Sequence, residues 1–337
     1  MSEARARNTL WTMQMKAAVY RRFGGPEVVK IETIPRPRPK ANEVLIRVHA
    51  STVSIADYRV RTKDLPEGLG FFGPVALGIF RPRRRVLGMD LAGVIEEVGA
   101  NVTRFTVGDK VLGVRGGKFG CHAEYAVMAE DGAIAIAPKN LSLVDAASVI
   151  FGGITASGYF TRVTLGPGVT VLVNGASGST GSAAVQIAAA AGAHVTGVSS
   201  AGNHDFVRAL GAAEMIDYAS TDFTTNGKTY DVVVDTVGNA QFARAGGSVK
   251  PGGALLLIIA SLSSMLTAGR DSKRSGKLVS LGEARLGPAA MERVVTLAEA
   301  GVLTPVIDHR YTLETITDAH AYVSTHRKRG NLVLALA

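Results

Sequence analysis

The most constraining stretch of this 337-residue chain is Thr170-Val171-Leu172-Val173-Asn174-Gly175-Ala176-Ser177-Gly178-Ser179-Thr180-Gly181. An apolar β-run breaks there into a glycine-rich turn and then into a helical run, Ser182–Ala191, with a second strand, His194–Ser200, behind it. A strand, a glycine turn, a helix and a second strand form the unit that cradles a dinucleotide pyrophosphate. Small residues let the main chain approach the anion closely, and the helix aims unpaired N–H groups and the positive end of its dipole at it. The spacing G-x-x-G-x-x-G is one residue longer than the common G-x-G-x-x-G. Gly175, Ser177, Gly178, Ser179, Thr180 and Gly181 are therefore candidate coenzyme contacts.

The rhythm around this unit divides the chain. From Lys16 to about Lys139 it is strand-rich, with β-runs at Glu43–His49, Gly93–Val98, Lys110–Leu112 and Ala123–Met128 broken by glycine and proline turns. From Asn140 helices and strands alternate. Helix Asn203–Leu210, strand Glu214–Ile216, strand Asp231–Asp235, helix Ala240–Val249 and a buried strand from Leu255 predict a doubly wound parallel sheet. Past Ser275 the expected elements are a helix Pro288–Ala300, a strand Val302–Ile307, a helix Leu313–Ser324 and a last strand Leu332–Leu336.

Length and apolar content suit two cores in a soluble protein. The most apolar segment, Ala254–Ala260, is too short to span a membrane. The N-terminal dozen residues carry two arginines and no apolar core, so residues 1–14 read as a disordered leader and the expected location is cytoplasmic. The single cysteine, Cys121, rules out an intrachain disulfide and a four-cysteine zinc lobe. Beside it, His122 would face the other way if the pair sat in a strand, leaving a packed thiol. The net charge of +9 and the run Arg81-Pro82-Arg83-Arg84-Arg85 would allow a nucleic-acid partner. That run has no interleaved aromatics and no nucleic-acid module around it, so a solvated or anion-facing loop is expected.

Several motifs follow one another along the chain: Met15-Lys16-Ala17-Ala18-Val19-Tyr20, Gly88-Met89-Asp90-Leu91-Ala92-Gly93, Val107-Gly108-Asp109-Lys110-Val111, His122-Ala123-Glu124-Tyr125, the glycine turn, Leu210-Gly211-Ala212, Ile216-Asp217-Tyr218 and Arg329-Gly330-Asn331-Leu332-Val333-Leu334. Together they resemble the medium-chain dehydrogenase/reductase superfamily in its zinc-independent, quinone-oxidoreductase-like branch. The resemblance implies an α/β protein: a GroES-like β-rich substrate domain over residues 15–139, completed by residues 282–337, plus a Rossmann domain with its doubly wound parallel sheet over 140–281. It also suggests a homodimer through an edge strand of the Rossmann sheet, and variable pocket loops at Thr62–Phe80 and Ser261–Leu281.

In zinc alcohol dehydrogenases of this superfamily a cysteine, a histidine and a second cysteine hold the metal. The positions here that look equivalent carry Ser54, Met89 and Phe151, none of which supplies a thiolate or an imidazole, and Ala56 stands where a proton-relaying hydroxyl would be. No metal ligands are therefore expected. Without a Lewis acid, hydride transfer needs an electron-poor acceptor, a quinone or an alkene conjugated to a carbonyl, and rests on positioning plus a donor to the developing enolate oxygen. Tyr58 is the candidate catalytic residue, its phenol either donating to the acceptor or packing. Thr155 is assigned to nicotinamide positioning, and Asp57 and Asp90 to hydrogen bonds that hold the interdomain cleft.

At the end of the second strand of the unit, Ser199 and Ser200 stand where a NAD enzyme places an acidic residue on the ribose. Hydroxyls tolerate the phosphate of NADPH, which is preferred, and NADH use stays open because Gly202, Asn203 and His204 occupy a loop where the family often has a lysine. The resemblance implies Tyr218 near the ribose and Asn331 near the coenzyme. The competing reading is a coenzyme-binding, redox-responsive or nucleic-acid-binding protein with little turnover.

Overall fold

The computed structural model describes residues 13–70, 73–282 and 285–336. The expected leader falls outside them up to position 12, and its last two residues are a correction. The Met13 carbonyl accepts a 2.7 Å bond from the Arg36 N–H, and Gln14 opens β1 (Gln14–Tyr20), which pairs antiparallel with β2 (Val29–Pro35).

β3 (Glu43–Val53) is the spine of the larger N-terminal sheet. Val44, Leu45 and Ile46 are all buried, without the alternation of a one-sided strand, because β3 is paired on both edges and shifts register against its neighbour between Leu45 and Ile46. α1 (Ile55–Thr62) and the short α2 (Gly73–Leu77) follow, then β4 (Asp90–Val98), β5 (Lys110–Val114), β6 (Tyr125–Ala129) and β7 (Ile134–Ile136). α3 (Leu143–Phe160) starts at Ser142, whose hydroxyl accepts the Asp145 N–H at 3.1 Å. It is long and apolar enough to cross a membrane, yet two thirds of it is buried inside the protein, the pattern of a helix apolar on nearly every side.

β8 (Thr170–Asn174), α4 (Ser179–Ala190), β9 (His194–Ser199), α5 (His204–Ala209), β10 (Glu214–Asp217), β11 (Tyr230–Asp235), α6 (Phe242–Ala245), β12 (Val249–Leu257), α7 (Leu262–Ser275) and β13 (Leu278–Leu281) build the second unit. Its six strands are all parallel in the order β10-β9-β8-β11-β12-β13. The order reverses between β8 and β11, which opens a crevice at their carboxyl ends, where α/β sheets bind ligands. α8 (Pro288–Glu299), β14 (Ile307–Thr312), α9 (Ile316–Val323) and β15 (Asn331–Ala335) close the chain. β15 pairs antiparallel with β3, so the C-terminal segment completes the N-terminal sheet in the order β14-β15-β3-β4-β5-β7, with β6 also on β3.

Four local expectations change. The strand expected at Val302–Ile307 lies at β14, because Val302 and Leu303 spend their N–H groups on the Leu297 carbonyl and Thr304 spends its own on Gln186. The segment Ser261–Leu281 is no loop: Ser261 caps α7 through the Ser264 N–H, and β13 adds an edge strand. The helix expected at Ala240–Val249 shrinks to α6 and a single tighter turn. Cys121 and His122 sit in irregular chain rather than a strand, both fully buried, with His122 Nε2 3.0 Å from the Thr52 carbonyl.

Candidate functional site

The glycine turn follows β8 at the crevice, and each glycine there does a different job. Gly175 has φ +81°, a left-handed turn that a side chain resists. Gly181 lies inside α4, where a β-carbon would come 2.1 Å from the Gly175 carbonyl oxygen, so the helix start can tuck under the turn only with hydrogen there. Gly178 is the N-cap of α4, in ordinary extended backbone, φ −80°. A β-carbon on it would meet only the Gly175 oxygen, at 3.5 Å, and would stand in the cleft. The strained position of the turn is thus Gly175, not Gly178. The helix also starts three residues earlier than its apolar run suggests, so Ser179 and Thr180 belong to its first turn. No side chain caps this helix, which leaves its first N–H groups pointing into the cleft.

The cleft holds about 980 Å³ between the two sheets. Gly175, Ser177, Gly178, Ser179 and Thr180 line it, as do Ser199, Ser200 and Tyr218 at one end and Asn331 beside the turn. Gly181 and Thr155 do not. Thr155 instead donates to the Phe151 carbonyl at 2.9 Å within α3, one turn below the Phe151 side chain that does line the cleft. Asn331 is tied to the turn by its side-chain oxygen, which accepts the Ser179 hydroxyl at 2.6 Å, and the Gly330 N–H reaches the Ser177 carbonyl at 2.8 Å. The C-terminal segment is thereby sewn to the glycine turn. Lys328, just before this join, donates to the Gly330 carbonyl, and burial pulls its pKa down to about 8.

The other wall comes from α1. Ser54 caps it: its hydroxyl accepts the Asp57 N–H while the Asp57 carboxylate accepts the Ser54 N–H at 2.8 Å and the Ser54 hydroxyl at 2.7 Å. The second Asp57 oxygen accepts the Gly88 N–H at 2.8 Å. Asp90 accepts the Thr52 N–H at 2.8 Å and the Thr52 hydroxyl at 2.6 Å, and burial pushes it up to about 7 against the pull of those bonds. Neither carboxylate bridges the cleft as expected from sequence; both join neighbouring pieces of the N-terminal region.

Tyr58 takes the packing one of its two expected roles. On α1 its ring turns to the apolar cluster around Tyr20 and Leu313 and meets His326 edge-on at 4.9 Å, and it does not line the cleft. Arg59, the next residue, does, together with Ile55 one turn earlier. Asp57 and Arg61 are fully buried, and Arg61 donates to the Gly24 carbonyl at 2.7 Å and the Ser324 hydroxyl at 2.9 Å. The buried face of α1 is therefore charged, which hides the helix from any apolar-periodicity reading.

Two further cations escaped sequence reasoning. Arg329, delivered from the C-terminal segment, donates to the Gly202 carbonyl at 3.1 Å and so stands over the loop after β9. Arg244 lines the same end but is held by Asp222 at 2.8 Å. The basic run Arg81–Arg85 lies outside this cleft, with all four arginines exposed. Of the three positions that look equivalent to a zinc triad, Ser54 and Phe151 line the cleft, whereas Met89 packs against the apolar cluster of Tyr20 and Leu313. Among the described residues no three His, Cys, Asp or Glu groups gather closely enough to hold a metal ion.

Sequence and structure comparisons agree with this architecture. The alcohol dehydrogenase GroES-like domain family matches residues 40–138, and the family described as zinc-binding dehydrogenase matches residues 210–334. A quinone oxidoreductase of Sus scrofa is 30% identical, covering 94% of this chain and 96% of its own. An NADPH-dependent alkenal/one oxidoreductase of Arabidopsis thaliana chloroplasts is 28% identical over 95% of this chain and 79% of its own. The quinone oxidoreductase structure from Coxiella burnetii superposes with a TM-score of 0.84 at 28% identity, over 96% of this chain and all of that one. The likeness runs through both sheets and the cleft between them, and the chain belongs to the quinone-oxidoreductase-like branch of the medium-chain dehydrogenase/reductase superfamily.

Proposed function

We propose that this protein is an NADPH-dependent reductase that delivers hydride to a quinone or to an alkene conjugated to a carbonyl, without zinc. One observation carries the reading: the uncapped start of α4, set under the left-handed turn at Gly175, opens into the same cleft as Ser54 and Phe151. The names of the pig and plant relatives point the same way.

The residues fit a nicotinamide dinucleotide. The N–H groups of Ser179 and Thr180 would hold its pyrophosphate, with Gly178 clearing the approach and Ser177 and Asn331 fixing the turn against the C-terminal segment. Ser199, Ser200 and Tyr218 would receive the adenosine ribose; Tyr218 is two-thirds exposed at that end. No carboxylate stands at the end of β9, and Arg329 supplies a cation on the loop at Gly202, both of which favour the phosphorylated coenzyme. When bound, the coenzyme supplies a hydride. Thr155 acts at one remove, by holding the turn of α3 that carries Phe151 into the cleft. Ser54 is committed to the Asp57 carboxylate and, with Phe151, brings no thiolate or imidazole to an acceptor oxygen, so the acceptor itself must be electron-poor. The free edge of β13, with Leu278 partly exposed, is the proposed dimer contact, in a protein of the cytoplasm.

The test is oxidation of NADPH and of NADH with a panel of small quinones and conjugated enones, with and without a strong chelator. Turnover of either acceptor class, unaffected by the chelator and faster with NADPH, is expected. No turnover of any acceptor, or turnover that needs a stoichiometric metal, overturns the reading.

A further inference from the structure

We propose that Arg59 is the anchor for an anionic group on the acceptor, so that this reductase works on a conjugated carbonyl or quinone that carries a carboxylate. The inference rests on the reductase reading and extends it to the substrate's chemical class.

α1 presents three different faces. Asp57 and Arg61 point into the protein, Tyr58 packs on His326, and Ile55 and Arg59, one turn apart, line the cleft that Ser54 and Phe151 also line. Arg59 has no hydrogen bond or ion pair among the described residues, although it is half-buried. The carboxylates of the cleft lining and of α1 are already taken. Asp222 is held by Arg244 at 2.8 Å, Asp308 accepts the Tyr322 hydroxyl at 3.0 Å and the Arg329 N–H at 2.9 Å, and Asp57 is saturated by Ser54 and Gly88. Asp64, the acidic group that acts most on Arg59, is exposed and beyond ion-pair distance.

A guanidinium withdrawn from water without a partner is disfavoured, and burial indeed pulls Arg59 below its usual value, with Asp64 opposing. An anion in the cleft removes that penalty. The planar fork of an arginine matches a carboxylate with two parallel N–H···O bonds. The residue stands on the α1 wall that Ser54 caps, whereas the coenzyme's phosphates are assigned to the α4 start and the Arg329 loop. The anion it awaits therefore belongs to the acceptor.

The probes are β-acetylacrylic acid and its methyl ester, two conjugated ketones that differ in one charge. Binding is measured by calorimetry on the protein loaded with NADP⁺, and turnover by oxidation of NADPH. The expected result is that the acid binds at least tenfold more tightly than the ester, with a similar advantage in kcat/KM. In Arg59→Gln that ratio falls close to one, Arg59→Lys retains part of it, and thermal melts verify that both variants are folded. Equal handling of acid and ester by the unmodified protein overturns the proposal while leaving the reductase reading intact. A preference that survives in Arg59→Gln overturns it too, and so does a loss of NADPH affinity in that variant as large as its loss of acid affinity. Tight, Arg59-dependent binding of the acid without turnover of any acceptor upholds the anchor and overturns the reductase reading instead.

Discussion

The two walls of the cleft are built by different means. On the glycine side the ligand would meet main chain, at the Gly175 turn and the first N–H groups of α4. On the α1 side it would meet side chains, Arg59 above all, placed by the azimuth of a helix. A main-chain site tolerates no added atoms yet uses little side-chain chemistry, so its residues are glycine, serine and threonine. A helix-face site depends on which residue turns inward, and a one-residue step rotates a side chain by about 100°. That step is the whole difference between Tyr58, which packs, and Arg59, which lines the cleft.

The largest effect expected from breaking the main-chain wall is Gly181→Val. Its branched side chain must grow from a β-carbon 2.1 Å from the Gly175 oxygen, so α4 has to separate from the turn. We expect destabilisation of about 3 kcal/mol or more together with loss of coenzyme binding, read by thermal melt and calorimetry. Gly178→Val separates the two. Its backbone is ordinary and its β-carbon meets nothing closer than 3.5 Å, so stability should change by no more than about 1 kcal/mol, while NADPH affinity falls at least about a hundredfold. Wild-type affinity in this variant would remove the turn from the coenzyme site.

Arg329→Gln tests the cation brought across from the C-terminal segment. Charge-assisted hydrogen bonds contribute about 1.5–3 kcal/mol, so NADPH should bind about ten- to a hundredfold more weakly while NADH affinity stays within about twofold. Equal losses for the two coenzymes would show that Arg329 acts only by steadying the Gly202 loop.

The last effect lies behind the α1 wall, at Asp90. Its folded pKa of about 7 is raised above the ordinary carboxylate value by burial, so its contribution to stability is full at pH below about 4 and is lost as pH rises through about 7. Asp90→Asn can keep bonds to Thr52 without a titrating group. The gap in stability between wild type and variant should therefore shift against the wild type by about 2–3 kcal/mol between about pH 5 and about pH 8, followed by denaturant melts. A gap independent of pH would mean that Asp90 is as readily ionised folded as unfolded.

Much of this molecule follows from the sequence by itself. The parallel sheet and its glycine turn are written in short-range signals: apolar runs of strand length, small residues at a forced turn, and an alternation of helix and strand. The motif order carries the superfamily, and with it the return of the C-terminal segment to the N-terminal sheet, seen as β15 on β3. What the chain alone left unread is set by contacts distant in sequence. α1 is obscured because Asp57 and Arg61 face inward, held by Gly88, Gly24 and Ser324 from remote segments. The step from Tyr58 to Arg59, the arrival of Arg329 at Gly202, and the withdrawal of Asp57 and Asp90 from the cleft all depend on how α1, α9 and the C-terminal segment pack. Local pattern sets which backbone conformations a segment favours. Only packing decides which face of a helix, and whose arginine, the cleft receives, because those are bought by burial and hydrogen bonds between residues far apart along the chain.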